Sequence, residues 1–352
     1  MGAVRLLDVL VVGAGQAGLA MGHELAQQEL DFLIVDAASE IGESWRSRWD
    51  TLVLFTPSQY DGLPGMPFPA ATDTYPTKDD VADYLAVYAE RSGLPVRFGA
   101  PVTGVSRQDG HYAATVRGET VEAKRVVVAT GPFQTPFIPA MASEADASVT
   151  QLHSAAYRRP ADLPTGPVLV VGGANSGCQI ARELAQTHPV HLAVGDRVPA
   201  LPQRPLGRDL WWWGTKVGLS SVTVESKVGR RLSRRDPVIG AGPRALARGR
   251  DVQPRPWVES VAGSTVTFAD RTSVEPSSIV WATGFRGAYE WIQVAGVLDE
   301  AGKPVHRRGV TSARGFYFLG LSWLWTRGSA LLGWVGEDAS YLARHIATLR
   351  EP

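Results

Sequence analysis

One local unit occurs twice along this chain of 352 residues. Each copy begins with a short apolar strand, passes through a glycine-rich turn into a helix with apolar residues at helical spacing, and ends in a second apolar strand. The first copy spans residues 8–36 with its turn at 13–18, and the second spans 168–194 with its turn at 172–177. Since this order is typical of a βαβ unit, the repeat predicts an α/β fold with two three-layer, Rossmann-like domains.

Later strands indicate how the two domains are connected. Between the two units, residues 45–69 are expected to form a loop and Thr77 to cap a helix. Apolar strands are predicted at 125–129, 277–282 and 316–321, and a final helix at about 337–349. The last strand and helix follow the second unit but are expected to complete the sheet of the first. We therefore predict a second domain at 166–284, inserted into a first domain that comprises 1–165 and 285–352 and is separated from it by a proline-rich crossover.

Charge and cysteine content exclude several classes of protein. The 35 basic residues balance 35 acidic ones, so no overall field favours nucleic acid or an anionic membrane. Cys178 is the single cysteine, which excludes an internal disulfide framework, a CxxC redox pair and a cysteine-based zinc site; no metal is expected. The first apolar run is too short to be a signal peptide core or a membrane span, so we expect a cytoplasmic protein.

The first glycine turn has the spacing of a dinucleotide-binding turn. Gly13 allows the tight turn, Gly15 lets the backbone approach a pyrophosphate, and Gly18 lets the helix pack closely on the strand. The helix N-terminus offers free N–H groups to the phosphates, and Asp36 would accept the ribose hydroxyls. An ordinary βαβ turn without a ligand is the alternative. We predict FAD at this turn.

The second turn departs from this pattern in a way that favours NADPH. Ala174 replaces the middle glycine, and Gly195 stands where the first copy has its acid. Arg197 follows, and the loss of an acid with the gain of an arginine favours a 2′-phosphate. Asp196 could hold a free ribose hydroxyl, which leaves NADH open. The predicted nucleotide-binding residues are Gly172, Asn175, Ser176, Gly177, Arg197 and Arg204, with Arg208 as another phosphate partner.

Several further segments lie in a characteristic order along the chain. They are found at 42–46, 60–69, 128–131, 151–157, 281–285, 326–329 and 336–339. Their sequence and order resemble the class B flavoprotein monooxygenases, the group of flavin-containing and Baeyer–Villiger monooxygenases, and most of all their compact bacterial and YUCCA-like members. The resemblance covers nearly the whole chain.

Three departures from the family pattern affect what can be carried over. The first half of the family fingerprint is missing, because Ala147 stands for its Phe and Val149 for its Gly. Tyr157 ends the fingerprint and favours the flavin-containing side of the group over the Baeyer–Villiger side. Phe55 stands where animal members have an Asn near the flavin, which puts direct transfer of their mechanism in doubt.

The resemblance implies that NADPH reduces FAD, that a C4a-(hydro)peroxyflavin forms with O2, and that one oxygen atom passes to a small hydrophobic molecule. It adds Trp45, Arg46, Gly131, Gly320 and Ser329 to the FAD site, and Thr283 and Gly284 to the NADPH site. Aromatic residues would line the substrate pocket, namely Tyr60, Trp211, Trp213 and Trp325, with Trp323 and Trp334 as further candidates. His153 and Gln59 are candidates for catalysis, although a structural role for His153 is favoured.

Two other functions remain open at this stage. The same scaffold could serve as a flavin reductase or oxidase without oxygen transfer, or as a non-enzymatic flavin redox sensor. The adjacent tryptophans at 211–213 are compatible with a pocket, an interface such as a homodimer, or partly exposed core.

Overall fold

The computed structural model describes residues 5–195, 199–234, 236–249 and 252–349. Within these ranges no helix is both long and apolar enough to cross a bilayer. Short 3-10 segments lie between the regular elements. The α-helices are Gln16–Gln27, Glu43–Arg46, Lys78–Arg91, Asn175–Leu184, Leu210–Lys216, Lys227–Arg234, Pro243–Arg248 and Val335–Thr348.

The first unit is built around a parallel sheet that contains the first glycine-turn strand. All four residues of Val9–Val12 are buried, as expected for a strand with helices on both faces. Phe316–Phe318 pairs with Val126–Val128 in parallel, which confirms that the C-terminal segment completes this sheet. The strand order is Phe316–Phe318, Val126–Val128, Val9–Val12, Phe32–Val35 and Val96–Arg97.

The second unit has a parallel sheet of the same kind around Val168–Val171. Its strand order is Thr150–His153, Ser278–Trp281, Val168–Val171, Val190–Ala193 and Val252–Arg255. The predicted α/β fold with two Rossmann-like units is confirmed. The sequence prediction had assigned 150–153 to the first domain, whereas this strand pairs with Ser278–Trp281 and Trp281 Nε1 donates to Gln151 Oε1 at 3.0 Å.

Smaller sheets flank both parallel sheets. Beside the first lies a mixed sheet ordered Leu6–Leu7, Glu119–Ala123, His111–Val116, Val102–Gln108 and Ile292–Gln293. Beside the second lies an antiparallel sheet of Val258–Ala262, Thr265–Phe268 and Ser273–Val274. The two-stranded pairs are Ala200–Leu201 with Val238–Ile239, and Thr135–Pro136 with Phe285–Arg286.

The segment 45–69, predicted as a loop, joins the two units. It includes the end of the short helix Glu43–Arg46 and a 3-10 turn at Ser58–Tyr60. Trp49 and Leu52 pack into the core of the second unit, among residues such as Tyr157. A loop of the first unit therefore contributes apolar side chains to the core of the second, which fixes the cleft between them.

Candidate functional site

Both glycine turns bring their first glycine against a backbone carbonyl. A Cβ at Gly13 (φ +109°) would lie 2.6 Å from the oxygen of Ala129, and a Cβ at Gly172 (φ +123°) would lie 2.2 Å from the oxygen of Ala282. Ala129 and Ala282 directly follow the strands Val126–Val128 and Ser278–Trp281, and the family-like motifs continue from them into Gly131 and Gly284. The same contact thus occurs in both units, and only glycine meets it without displacing backbone.

The middle position of each turn differs between the units. Nothing lies within 4 Å of the place where a Cβ of Gly15 would stand, whereas Ala174 occupies the equivalent place in the second turn. Neither Gly15 nor Ala174 caps its helix with a side-chain hydrogen bond. The helices that follow span 12 and 10 residues, so each begins with free N–H groups and the positive end of its dipole. Both turns therefore fit a phosphate group, and the first leaves it more room.

Asp36 and Gln16 organise the surroundings of the first turn. The Asp36 carboxylate accepts hydrogen bonds from Ala14 N at 2.5 Å and Ala38 N at 2.8 Å. Gln16, which the sequence analysis missed, accepts from Trp45 Nε1 at 3.3 Å and donates to the Ala330 carbonyl at 3.2 Å. The predicted acid, Trp45 and the C-terminal segment thus meet at the start of one helix.

Two other predicted FAD residues use their polar groups within the protein. Arg46 forms ion pairs with Asp83 at 2.7 Å and with Glu40 at 3.4 Å. The buried Ser329 hydroxyl accepts from the amides of 325 and 326, both at 3.0 Å, and so shapes the C-terminal turn. Gly320 brings that segment against the first helix, since its Cβ would lie 2.6 Å from that of Ala17. Their contact with FAD stays a prediction.

The predicted residues of the NADPH site differ in what their side chains contact. Asn175 Oδ1 accepts from Ile239 N at 3.0 Å, and the Thr283 hydroxyl donates to the Phe137 carbonyl. Arg204 donates to Tyr75 Oη at 3.1 Å and to the Asp73 carbonyl at 2.8 Å, so it bridges to the first unit. Arg197, with Asp196, lies outside the described residues.

The two candidates for catalysis already have partners on both polar ends. His153 Nδ1 accepts from Ala155 N at 3.1 Å, so Nε2 carries the proton and donates to the Gly284 carbonyl at 2.9 Å. Burial lowers the pKa of His153, which keeps the ring neutral. The exposed Gln59 amide exchanges two hydrogen bonds with Asp73, at 2.8 and 2.9 Å. These contacts favour structural roles for both side chains.

Four aromatic rings from three segments form a stacked series, hereafter the aromatic column. Tyr60 lies over Trp334 (6.0 Å, 17°), Trp334 packs on Trp211 (4.8 Å, 34°), and Trp211 stacks on Phe55 (6.2 Å, 13°). The Arg327 guanidinium lies 5.1 Å from the Trp211 ring centroid and is paired with Asp236 at 2.7 Å. Trp211 belongs to the second unit, so the column crosses the cleft.

Of the predicted pocket residues, Tyr60 and Trp211 thus both belong to the aromatic column. Trp213 has other neighbours: its Nε1 donates to the Pro205 carbonyl at 3.0 Å and its ring meets Trp212 edge-on. Trp325 faces Arg308, at 5.2 Å, and packs against the core of the first unit. Trp334, which the sequence also suggested for the pocket, lies between Tyr60 and Trp211, an arrangement that the sequence could not reveal because the contacts are distant along the chain.

Two further charged residues were not singled out by the sequence analysis. Asp61 is fully buried and accepts from Thr56 Oγ1 at 2.5 Å. Arg48 is half-buried with its guanidinium 5.6 Å from the Phe285 ring, and burial together with the nearby Arg158 lowers its pKa. Arg48 is therefore a half-buried cation with a second cation, Arg158, nearby.

Comparison with known proteins places the chain among flavin-dependent enzymes. The family model for pyridine nucleotide-disulphide oxidoreductases matches residues 10–200. A CzcO-like oxidoreductase from Geobacillus kaustophilus is 44% identical over 97% of this chain and 99% of its own length. Indole-3-pyruvate monooxygenase YUCCA4 from Oryza sativa is 28% identical over 97% of this chain and 88% of its own.

Solved structures give the same result. A flavin-containing monooxygenase from Stenotrophomonas maltophilia superposes with a TM-score of 0.83 and 27% identity, covering 98% of this chain and 99% of that one. The resemblance to the class B flavin monooxygenases is confirmed, and so is the expectation that the chain is an oxidoreductase.

Proposed function

The chain belongs to the pyridine nucleotide-disulphide oxidoreductase family, and on this premise we propose that it is a monooxygenase that uses FAD and NADPH. FAD would bind at the first glycine turn and NADPH at the second. With strand Thr150–His153 counted in the second unit, the nicotinamide-binding domain comprises about 150–284. The substrate would be a small, hydrophobic organic molecule.

The observation that carries the proposal is the pair of uncapped helix N-termini, one after the glycine turn of each unit. Each follows a turn whose first glycine lies against the end of a neighbouring strand, and the first turn leaves open the space in front of Gly15. Such ends bind the pyrophosphate of a dinucleotide through backbone N–H groups. Two sites of this kind fit one nucleotide that donates a hydride and another that accepts it.

The single cysteine argues against dithiol chemistry within the chain. Cys178 is buried in the first turn of helix Asn175–Leu184, and burial raises the pKa of its thiol to about 12. A thiol with this pKa is a poor nucleophile near neutral pH. Bound FAD would itself supply the chemistry, by accepting the hydride of NADPH and activating O2.

The residues of this chain would bind, orient and exclude water. Gln16 ties Trp45 and the C-terminal turn to the flavin-side helix, so that the wall of the cleft is rigid. His153 fixes the Gly284 carbonyl and with it the link between the units. The aromatic column closes one side of the cleft with apolar surface, which favours a dry pocket. Arg48 would offer a positive charge to a phosphate-bearing ligand.

Isotope labelling tests the proposal. FAD-loaded protein would be supplied with NADPH and ¹⁸O2, with an alkyl aryl sulfide, a tertiary amine and a cyclic ketone as probes. We expect NADPH consumption to depend on at least one probe, whose product gains one ¹⁸O atom. NADPH oxidation that yields hydrogen peroxide and no labelled product with any probe would favour the reductase or oxidase function instead.

A further inference from the structure

The two end rings of the aromatic column belong to the same loop. Phe55 and Tyr60 are five residues apart, yet Trp211 and Trp334 lie between their rings. The loop must therefore hold its two aromatic side chains apart by the thickness of two indole rings. Any widening or narrowing of the loop would break the stack.

One hydrogen bond closes this loop at its base. Thr56 and Asp61 directly follow the two end rings, and Thr56 Oγ1 donates to Asp61 Oδ1 at 2.5 Å. Both side chains are buried, with 3% and 0% of their surface exposed, so water does not compete for the bond. The bond thus joins the two positions that set the spacing of Phe55 and Tyr60.

The second carboxyl oxygen of Asp61 has no hydrogen-bond partner among the described residues. On the facing helix Lys78–Arg91, the Tyr84 hydroxyl is already used by Leu63 N and the Met66 carbonyl, both at 2.6 Å. No cation within the described ranges forms an ion pair with Asp61. Burial raises the pKa of Asp61 to about 7, because an ionised carboxylate here would leave a buried charge.

The charged groups at the column itself do not compensate for that charge. Arg327 lies over Trp211 and Phe55 but is paired with Asp236. The carboxylates of Asp209 and Asp73 act on Tyr60 and raise the pKa of its hydroxyl, as burial does more strongly. The ionised form of Asp61 would therefore be stabilised mainly by water that enters the base of the loop.

We propose that Asp61 is a positioning residue for the substrate side of the cleft: its neutral carboxyl, held by Thr56, sets the spacing of the aromatic column. Ionisation of Asp61 hydrates the base of the loop and loosens the column. The step from ring geometry to substrate binding rests on the proposed function, whereas the geometry itself does not.

The column can be observed without turnover. The rings of Trp211 and Trp334 are close enough for exciton coupling, which contributes to the near-ultraviolet circular dichroism. This contribution is measured as the difference between the spectra of the native protein and a Trp211→Phe variant. Thr56→Val removes the hydroxyl donor at nearly constant volume, and Thr56→Ser keeps it. We expect the valine variant to lose most of the coupled signal and the serine variant to keep it. Equal signals in both variants would overturn the proposal.

The pH dependence of the coupled circular dichroism signal distinguishes this role from a merely structural one, which would not make the signal depend on pH. We expect the coupled signal of the native protein to fall between about pH 6 and about pH 8.5, with a midpoint near the pKa of about 7. Asp61→Asn keeps an oxygen for Thr56 but cannot ionise, so its signal should not change over this range. A native signal that is equally constant would contradict the proposal.

Kinetics with an alkyl aryl sulfide as probe link the geometry to the reaction. We expect KM to rise about tenfold in Thr56→Val, the change expected from one lost buried hydrogen bond, with a smaller change in kcat. Asp61→Asn should have a KM that is independent of pH. If no probe is turned over while the spectroscopic results hold, the proposed function fails and the role of Asp61 in the column stands.

Discussion

At the scale of single residues, a buried carboxyl with one hydrogen-bond donor makes the folded state prefer the protonated form. The pKa of Asp61 is about 7 in the folded protein, against the ordinary value of 3.8. Because the folded-state pKa is the higher one, the stabilising contribution is complete below about pH 4 and is lost as the pH rises through 7. We expect this loss to approach about 4 kcal/mol of unfolding free energy, at 1.36 kcal/mol for each pH unit.

Urea unfolding of the native protein and of Asp61→Asn between about pH 4 and about pH 8 measures this term. The difference between the two stabilities removes the contributions of all other groups. The asparagine variant should become more stable than the native protein as the pH rises. A difference that does not vary with pH would show that Asp61 is ionised in the folded protein.

Two glycines of the first turn are expected to be needed for different reasons, Gly18 for folding and Gly15 for binding FAD. A Cβ at Gly18 would lie 1.8 Å from the Gly13 oxygen, so Gly18→Ala should prevent normal folding. A Cβ at Gly15 meets nothing within 4 Å, so Gly15→Ala should fold with unchanged stability and lose FAD affinity by at least about tenfold. Thermal melting and flavin titration measure the two effects. Undiminished FAD binding by Gly15→Ala would place the cofactor elsewhere.

The roles of residues in the repeat could be predicted from the sequence because those roles depend on neighbouring residues in the chain. Gly13, Gly18 and Asp36 occupy fixed places in a strand–turn–helix–strand unit, and the structure places all three at the turn. Asp61 had no such signal, since its partner Thr56 and its burial depend on tertiary packing. The same is true of Gln16, which lies within the predicted motif but acts through residues 29 and 314 positions away.

At the scale of elements, the segment before Leu210–Lys216 attaches the second unit to the first. The buried Asp209 carboxylate accepts from Trp211 N at 2.8 Å, as a helix cap, and also from Gln203 Nε2 at 2.8 Å and Tyr75 Oη at 2.7 Å. Asp209→Ala should lower the unfolding free energy by about 2 kcal/mol, because it removes a helix cap and the acceptor of two hydrogen bonds from half-buried side chains. It should also speed proteolysis near this helix.

The matched control is Lys216→Ala at the other end of the same helix. Lys216 is exposed and contacts the ring of Trp212, so its loss should change stability by less than about 0.5 kcal/mol. Denaturant unfolding and limited trypsin digestion compare the variants. Equal behaviour of the two would show that Asp209 does not hold this segment in place.

Elements with strong local signals were predicted well. Thr77 was expected to cap a helix, and it does so with a complete capping box to Asp80. The strand Glu119–Ala123 was missed because most of its side chains are polar or small and it lies beside the main sheet. Thr150–His153 was found only as part of a family motif, and its pairing with Ser278–Trp281 depends on a partner more than a hundred residues away.

At the scale of the whole molecule, the repeat predicted the architecture because each unit encodes its own sheet. The arrangement of the two units around the cleft was harder to predict. Trp49 and Leu52 pack into the second core, and Arg204 bonds to Tyr75 and Asp73, so the relative placement of the units depends on long-range contacts. The aromatic column belongs to the same class of features. The rings of Tyr60 and Trp211 could therefore be singled out by residue type, but their arrangement in the column could not be predicted.

The central claim is that one chain holds a hydride donor and a hydride acceptor across this cleft. The most direct test mixes FAD-loaded protein with NADPH without oxygen and follows the flavin absorbance in a stopped-flow instrument. We predict that the flavin is reduced, faster by NADPH than by NADH at equal concentration, and that it is reoxidised when O2 is added. Flavin that stays oxidised with both nucleotides would contradict the assignment of the second glycine turn and the account built on it.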